Sequence, residues 1–561
     1  MSYLRDIKII VNAKVPMRDG VELATSVYLP VQGERFPVVL VRTPYGRMGI
    51  GAREYTSRGL AVVAQDCRGR HGSDGHFFPW IDDRNDGLDT LDWLLSQPWC
   101  NGSVGMEGDS YLAMVQWLIA RENHPAIKAL TPRFVGDSCG RGFYDDGAFS
   151  LALSFSWASL EIAGRVSEYS VLPKYDVGAL LRELPLSTLD EKAGCGVVPA
   201  YRDMISHERD GEYWESRCFR TNLSNATAPI LQIGGWYDYY AAEVFRRYAE
   251  LCSRPADAET IAGHRILIGP WTHGVGQIAQ QLGELDFGPQ ALTENDATAN
   301  WLECLLKGGK PADYATAPIR IFVMGANCWR DEYEWPLART RFTPFYLRLP
   351  DDAGEDSLSP TPPGAEVPDQ YLYDPMDPTP TLGGNHSVGS YNPGLYEICR
   401  PGPFDQRPVE QRADVLVYTS SVLDEDVEVT GPVTMTLYAS SSAIDTDFIA
   451  RLCDVYPDGR SINVTEGVLR ARFRARDWDL EEPLQPGEVY EFHIDLQVTS
   501  QVFFKGHRLR IDIASSSFPL LDRNLNLGEP LATATNHVCA EQTIYHDATY
   551  PSHVVLPIVS G

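Results

Sequence analysis

Residues 105–117 read GMEGDSYLAMVQW. A strand-like run closes at Gly108, Ser110 follows two places on, and a helix-like run then continues through LIARENH. A serine on so tight a strand-to-helix turn needs small neighbours, and Gly108 is one. The turn can thrust the hydroxyl out as a nucleophile. A lone Gly-x-Ser is weak as a motif, and the fuller G-x-S-x-G is not met because Leu112 holds the last place. What surrounds the turn decides both the fold and the chemistry.

Upstream, PVVLVR (37–42) and LAVVAQD (60–66) are short apolar, β-branched runs suited to strands buried on both faces. Between the second of these and the serine, DDRNDGLDTLDWLL (82–95) spaces Leu88, Leu91, Trp93 and Leu94 as a helix does. Strands alternating with helices predict a parallel α/β sheet. From 145 to 228 the pattern turns helical (FSLALSFSWASLEIAG, VGALLRELPLSTLDEKAG, YRDMISHERDGEYWESR), which predicts an inserted helical cap. The sheet pattern resumes in APILQIGGWYDYY and HRILIGPWTHG. Beyond about 340, short alternating runs among Pro, Gly and Asp turns predict an all-β jelly roll. The expected division is 1–144 with 229–340 for the α/β domain, 145–228 for the cap, and 341–561 for the β domain.

A serine hydroxyl attacks only when a base takes its proton, and that base needs an orienting acid. ILQIGGWYD carries Asp238 past one strand-like run, and ILIGPWTH carries His273 past the next. Both fall where loops leave the carboxyl edge of an open sheet, the usual place for its site. The order serine, acid, histidine suits the fold. An oxyanion also needs pre-aimed donors. The backbone N–H of Tyr111 is one candidate. Tyr45, in the early loop VRTPYGR, either supplies a second or packs beneath the cap.

These stretches together resemble the CocE/NonD serine hydrolases, the group that includes cocaine esterases and X-Pro dipeptidyl-peptidases. VRTPY, QDCRGRHGSDG, GMEGDSYLAMVQW, GGWYD and GPWTHG carry the resemblance in order, followed by YDPMDP, GPVTMTLYASSSAIDTDF and FFKGHRLRIDIASSSFP. It implies an α/β-hydrolase domain with a helical cap and a C-terminal jelly roll. It implies Ser110, Asp238 and His273 as a triad, with the Tyr45 hydroxyl and the Tyr111 N–H as oxyanion hole. Ala113 stands where the family usually has glycine; alanine is still small, so the packing of the turn should survive with a slightly wider approach of helix to sheet. The related α-amino-acid ester hydrolases hold a substrate ammonium with three carboxylates. Here those places are Gly142, Tyr240 and Ala241, which disfavours an α-amino acyl group. Tyr240, Phe149, Phe155 and Trp157 are instead the candidates to line an apolar acyl or aryl pocket.

The expected function is therefore hydrolysis of a small ester, or an amide, through an acyl-enzyme. An acyltransferase or cyclase, a dipeptidyl-peptidase-like amidase, and a ligand-binding jelly roll on an inert scaffold are the alternatives. A net charge of −28 opposes a nucleic-acid partner, since phosphate binding needs clustered Lys and Arg. No apolar run is long enough to span a membrane, and the amino-terminal residues lack a leader pattern, so a cytoplasmic location is expected. Eleven cysteines without repeated spacing suit reduced thiols. No His/Cys cluster shows metal-ligand spacing, and no cofactor motif is complete, so neither metal nor cofactor is expected. The partner expected is a small molecule, with self-association into a homo-oligomer left open.

Overall fold

The computed structural model describes residues 7–49, 51–136, 142–166, 176–209, 211–217, 223–253, 261–273, 279–350, 357–388, 394–475 and 480–559. Ten strands form the first sheet: β1 (Ile7–Pro16), β2 (Glu22–Pro30), β3 (Phe36–Thr43), β4 (Ala61–Asp66), β5 (Cys100–Asp109), β6 (Ile127–Arg133), β7 (Leu231–Gly235), β8 (Arg265–Gly269), β9 (Ile319–Val323) and β10 (Cys328–Glu332). Their spatial order is β1-β2-β4-β3-β5-β6-β7-β8-β9-β10. The run from β4 to β9 is parallel throughout, so all its carboxyl ends lie on one edge. Chain order reverses between β3 and its neighbours β4 and β5, the switch point at which open sheets form their crevices.

The apolar run in β3 explains why this sheet is covered on both faces. Side chains alternate along a strand. Val38 and Leu40 enter one core with Leu91, Leu94 and Trp117 from α2 (Asp83–Ser96) and α3 (Tyr111–Ala120). Val39 and Val41 enter the opposite core with Tyr55 of α1 (Ala52–Ser57) and Trp301 and Leu302 of α5 (Ala297–Leu306). A further helix, α4 (Ala241–Cys252), packs beside β8 and β9 through Val244 and Phe245. Between β6 and β7 the described residues form short helices, among them 151–155, a π-helical turn over 156–161, and 199–206.

Apart from two short two-stranded pairs, Tyr144–Asp145 with Ala148–Phe149 and Gln281–Leu282 with Leu285–Asp286, the other described strands build two facing antiparallel sheets. The larger joins β11 (Thr340–Leu347), β12 (Leu358–Ser359), β13 (Asp369–Tyr373), β15 (Val427–Ser441), β18 (Tyr490–Phe503), β20 (Ala540–Tyr545) and β21 (His553–Val559). The smaller runs β14 (Leu416–Thr419), β19 (Arg508–Ala514), β16 (Asp447–Val455), β17 (Ser461–Arg470). Alternate residues from both, such as Met435 and Leu437 with Leu452 and Ile511, share one core. A short helix, α6 (Arg407–Glu410), precedes β14.

Candidate active site

Ser110 caps α3 with φ 54° and ψ −116°, a left-handed conformation that a non-glycine residue rarely holds. Its N–H donates to the Arg133 carbonyl at 3.0 Å, and its own carbonyl accepts from Met114 at 2.9 Å. Gly108 makes the turn possible: its φ is 144°, and a Cβ there would fall 2.2 Å from Leu112 Cβ. Asp109 is ion-paired with Arg133, which also reaches Thr298 at 2.9 Å, so the strand end just before the serine is anchored to β6 and, through it, to α5.

Asp238 and His273 lie further past their strands than the sequence pattern suggests, three and four residues beyond β7 and β8. Glycine explains how the two loops meet. A Cβ on Gly235 would lie 2.1 Å from the Trp271 carbonyl oxygen, so only glycine admits this approach. Trp236 then donates to the Gly269 carbonyl at 2.8 Å and Tyr237 to that of Trp271 at 3.0 Å. Side by side, the loops place Asp238 Oδ1 at 3.0 Å from His273 Nδ1, both side chains buried. A carboxylate only accepts, so Nδ1 carries the hydrogen and Nε2 is left as the basic nitrogen. Burial pushes the His273 pKa down, but the charge and hydrogen bond of Asp238, with Asp109 and Glu161 adding to them, hold it above the ordinary value. Phe134 sits edge-on to the imidazole at 6.2 Å and Tyr240 at 5.7 Å.

Ser110 and His273 line one pocket with Trp80, Tyr111, Phe143, Trp157 and Tyr240. Its wall is a stack of rings: Trp80 lies on Tyr111 at 5.4 Å and on Trp157 at 5.2 Å, and Phe143 on Trp157 at 5.5 Å. The Tyr111 hydroxyl donates to buried Asp83 and accepts the Trp80 N–H at 3.2 Å. Asp83 in turn meets Arg42, whose Nη1 donates to the Asp83 carbonyl at 2.7 Å. As the first residue of α3, Tyr111 has a backbone N–H with no intrahelical acceptor, beside Ser110. Tyr45 stands edge-on to Tyr111 at 6.5 Å, and its hydroxyl accepts the Trp157 Nε1 hydrogen at 2.9 Å, leaving its own hydrogen to donate. Burial and the Glu161 charge push the Tyr45 phenol pKa up, so it stays protonated.

Of the aromatic candidates, Trp157 and Tyr240 line this pocket, whereas Phe149 and Phe155 do not. Both phenylalanines are fully buried within the helical segment, packed on Tyr144 at 5.0 Å and Tyr201 at 5.8 Å. Trp80, Phe143 and Ser387 were not singled out from the sequence. Trp80 follows Pro79 in a loop and takes φ 65°, a combination with no periodic pattern to find. Ser387 comes from the connection before α6, remote in sequence. The acids near the cap, Asp145 and Asp146, line a separate polar pocket with Glu243, Arg246 and Asp495, where Arg246 is ion-paired to both Glu243 and Asp495.

Comparison with known proteins agrees with this architecture. Residues 19–275 match the X-Pro dipeptidyl-peptidase (S15 family) and residues 313–555 its C-terminal non-catalytic domain. The chain is 37% identical to a cocaine esterase of Rhodococcus sp. (strain MB1 Bresler), over 98% of each protein. Among solved structures, an aminopeptidase from a Thaumarchaeota archaeon superposes with a TM-score of 0.87 at 27% identity, covering 100% of this chain and 98% of the other. An α-amino-acid ester hydrolase superposes at 0.86 and 26% identity, covering 100% and 97%. No helix among the described residues is long and apolar enough to cross a membrane. With a relative this similar along its whole length, the chain belongs to the CocE/NonD family of serine ester hydrolases.

Proposed function

We propose that the chain hydrolyses esters of small aromatic or apolar acyl groups through an acyl-enzyme on Ser110. The observation that carries this is the shared pocket: a strained serine and an aspartate-paired histidine open onto one space walled by stacked rings. His273 Nε2 takes the Ser110 proton as Oγ bonds to the acyl carbon, and then gives it to the departing alkoxide. Water repeats the path in reverse and frees the acid. Asp238 fixes the imidazole and stabilises the imidazolium. The Tyr111 N–H and the Tyr45 hydroxyl receive the oxyanion. The acyl group lies among Trp80, Phe143 and Trp157, where flat rings favour a flat or apolar acyl chain.

In this reading the α/β domain (1–144 and 229–340) carries the chemistry, the helices of 145–228 act as a cap over the ring-lined pocket, and 341–561 is a jelly roll lending Ser387 to its wall. The relatives supply the ester preference by name, and the aminopeptidase neighbour is the reason to test amides. The test is fluorophosphonate labelling followed by a panel of nitrophenyl esters and anilides graded by acyl size. Labelling lost in Ser110→Ala, with benzoyl or similar esters turned over fastest, is the expected result. An unlabelled wild type would overturn it, and transfer to an added alcohol or amine in place of hydrolysis would make the chain an acyltransferase.

A further inference from the structure

The smaller sheet of the β domain holds a second cluster of chemistry-bearing side chains, on elements that contribute nothing to the ring-lined pocket. In the β16–β19 ladder Cys453 pairs with Arg510 and Arg451 with Asp512. Because side chains alternate, these four share one face of the sheet, and Glu410 of α6 comes down upon it. Cys453 is fully buried and Asp512 is 2% exposed, while the Glu410 side chain is 7% exposed. The Cys453 thiol donates to Asp512 Oδ2 at 3.6 Å, and one donor atom from each of Glu410, Cys453 and Asp512 lies within 4.8 Å of the other two.

Two atoms in this cluster lack what burial demands. Asp512 Oδ1 and Glu410 Oε1 are both inaccessible and have no hydrogen-bond partner among the described residues. Two carboxylates brought together out of water repel and lose their hydration, and an orphaned buried acceptor is rare in a folded protein. A cation between them would remove both penalties. We infer that Glu410, Cys453 and Asp512 form a binding site for a divalent cation of the zinc type.

The donor set selects the ion. One sulfur with two carboxylates suits a borderline-soft metal such as Zn²⁺ or Co²⁺ over the oxygen-seeking Mg²⁺ and Ca²⁺. The surroundings fit as well. Arg510 Nη1 donates to Glu410 Oε2 at 2.5 Å, orienting that carboxylate from outside, as outer partners of metal ligands do. Arg451, held by Glu466 at 2.8 Å, faces the same cluster and with Arg510 offsets the charge of three anionic ligands. Binding replaces the thiol S–H bond by an S–metal bond and releases that proton to solvent, so affinity rises with pH. The ion would pin α6 to two strands of the smaller sheet.

The test uses the full-length protein expressed in media supplemented with Zn²⁺ or Co²⁺, with metal content measured by mass spectrometry after gel filtration. One ion per chain is expected, together with a near-ultraviolet thiolate-to-cobalt band in the Co²⁺ form. Cys453→Ser should abolish the band and lower the content roughly tenfold or more, as should Asp512→Asn. Should the variants fail to fold, the wild type suffices: a chelator should lower its melting midpoint and Zn²⁺ restore it. Wild-type protein without metal from either medium, and with a midpoint indifferent to chelator and Zn²⁺, overturns the inference. So does metal retained undiminished in both variants.

Discussion

On the proposed mechanism Ser110 attacks only when the imidazole of His273 is neutral, so the rate should follow the His273 titration. Asp238 and its acidic neighbours raise that pKa above the ordinary 6.5. Only the deprotonated ring accepts the Oγ proton, and activity is therefore lost as pH falls through the raised value. The plot of kcat/KM against pH for a nitrophenyl ester should climb with a midpoint above 6.5. Asp238→Asn removes the charge and leaves the ring free to take the wrong tautomer. Its midpoint should fall, and its rate should drop by about 10⁴-fold. A midpoint that stays in place would show that Asp238 does not govern the imidazole. Tyr45 makes a separate prediction. Its hydroxyl keeps a free hydrogen because Trp157 donates to its oxygen. Tyr45→Phe should lower kcat by about 10²–10³-fold with little change in KM, the mark of a donor used only in the transition state. If KM rises instead, Tyr45 is a pocket wall.

At the scale of elements, the strand-to-helix turn from Gly108 to Ser110 is a steric device whose tolerance is measurable. Alanine at 108 would set two Cβ atoms 2.2 Å apart and hold φ at 144°. Overpacking costs about 1–3 kcal/mol, and the left-handed backbone adds about 1–2 kcal/mol for a residue with a Cβ. Gly108→Ala should lower the melting midpoint and abolish fluorophosphonate labelling together. Adding Leu112→Ala should not restore either, because the closest atom is a Cβ that alanine retains. Restoration would mean that the outer Leu112 atoms set the turn. The same scale shows what could be read from sequence. Asp238 and His273 each follow an apolar, isoleucine-rich run and Ser110 a glycine-rich strand-to-helix turn, so parallel strands bring the three to one edge. Phe149 and Phe155 looked equally suited to a pocket wall, yet they face inward. Which side of a short strand or helix meets the ligand depends on what packs behind it, here Tyr144 for the strand residue Phe149 and Tyr201 for the helical Phe155. Trp80 is set by a left-handed turn after Pro79 and the stack with Tyr111, neither of which has a periodic signature. The Glu410, Cys453 and Asp512 donors sit on three separate elements, so no spacing rule applied to the chain brings them together.

For the whole molecule, the question is what keeps the β domain seated against residues 146–149. Arg470, at the end of β17, binds Asp447 through Nε at 2.8 Å and Asp522 through Nη2 at 2.9 Å, all three side chains 2% exposed. Asp522 Oδ1 accepts the Phe149 N–H at 2.7 Å, and the Arg470 N–H donates to the Asp146 carbonyl at 2.9 Å. One guanidinium thus ties both acids to the 146–149 segment. Arg470→Ala strands two buried carboxylates and should cost about 3–5 kcal/mol. Thermal inactivation of the esterase and unfolding followed by circular dichroism should shift down together, since the tie spans both parts. Burial already pushes Asp522 up to about 6 although Arg470 opposes it. Without Arg470 its pKa in the folded protein rises further above the unfolded value. A carboxyl raised in this way is better tolerated in the fold once protonated, so acidification should recover part of the variant's lost stability. A deficit in Arg470→Ala that is the same at neutral and mildly acidic pH would show that lost packing, not the stranded charge, is what the domain junction depends on.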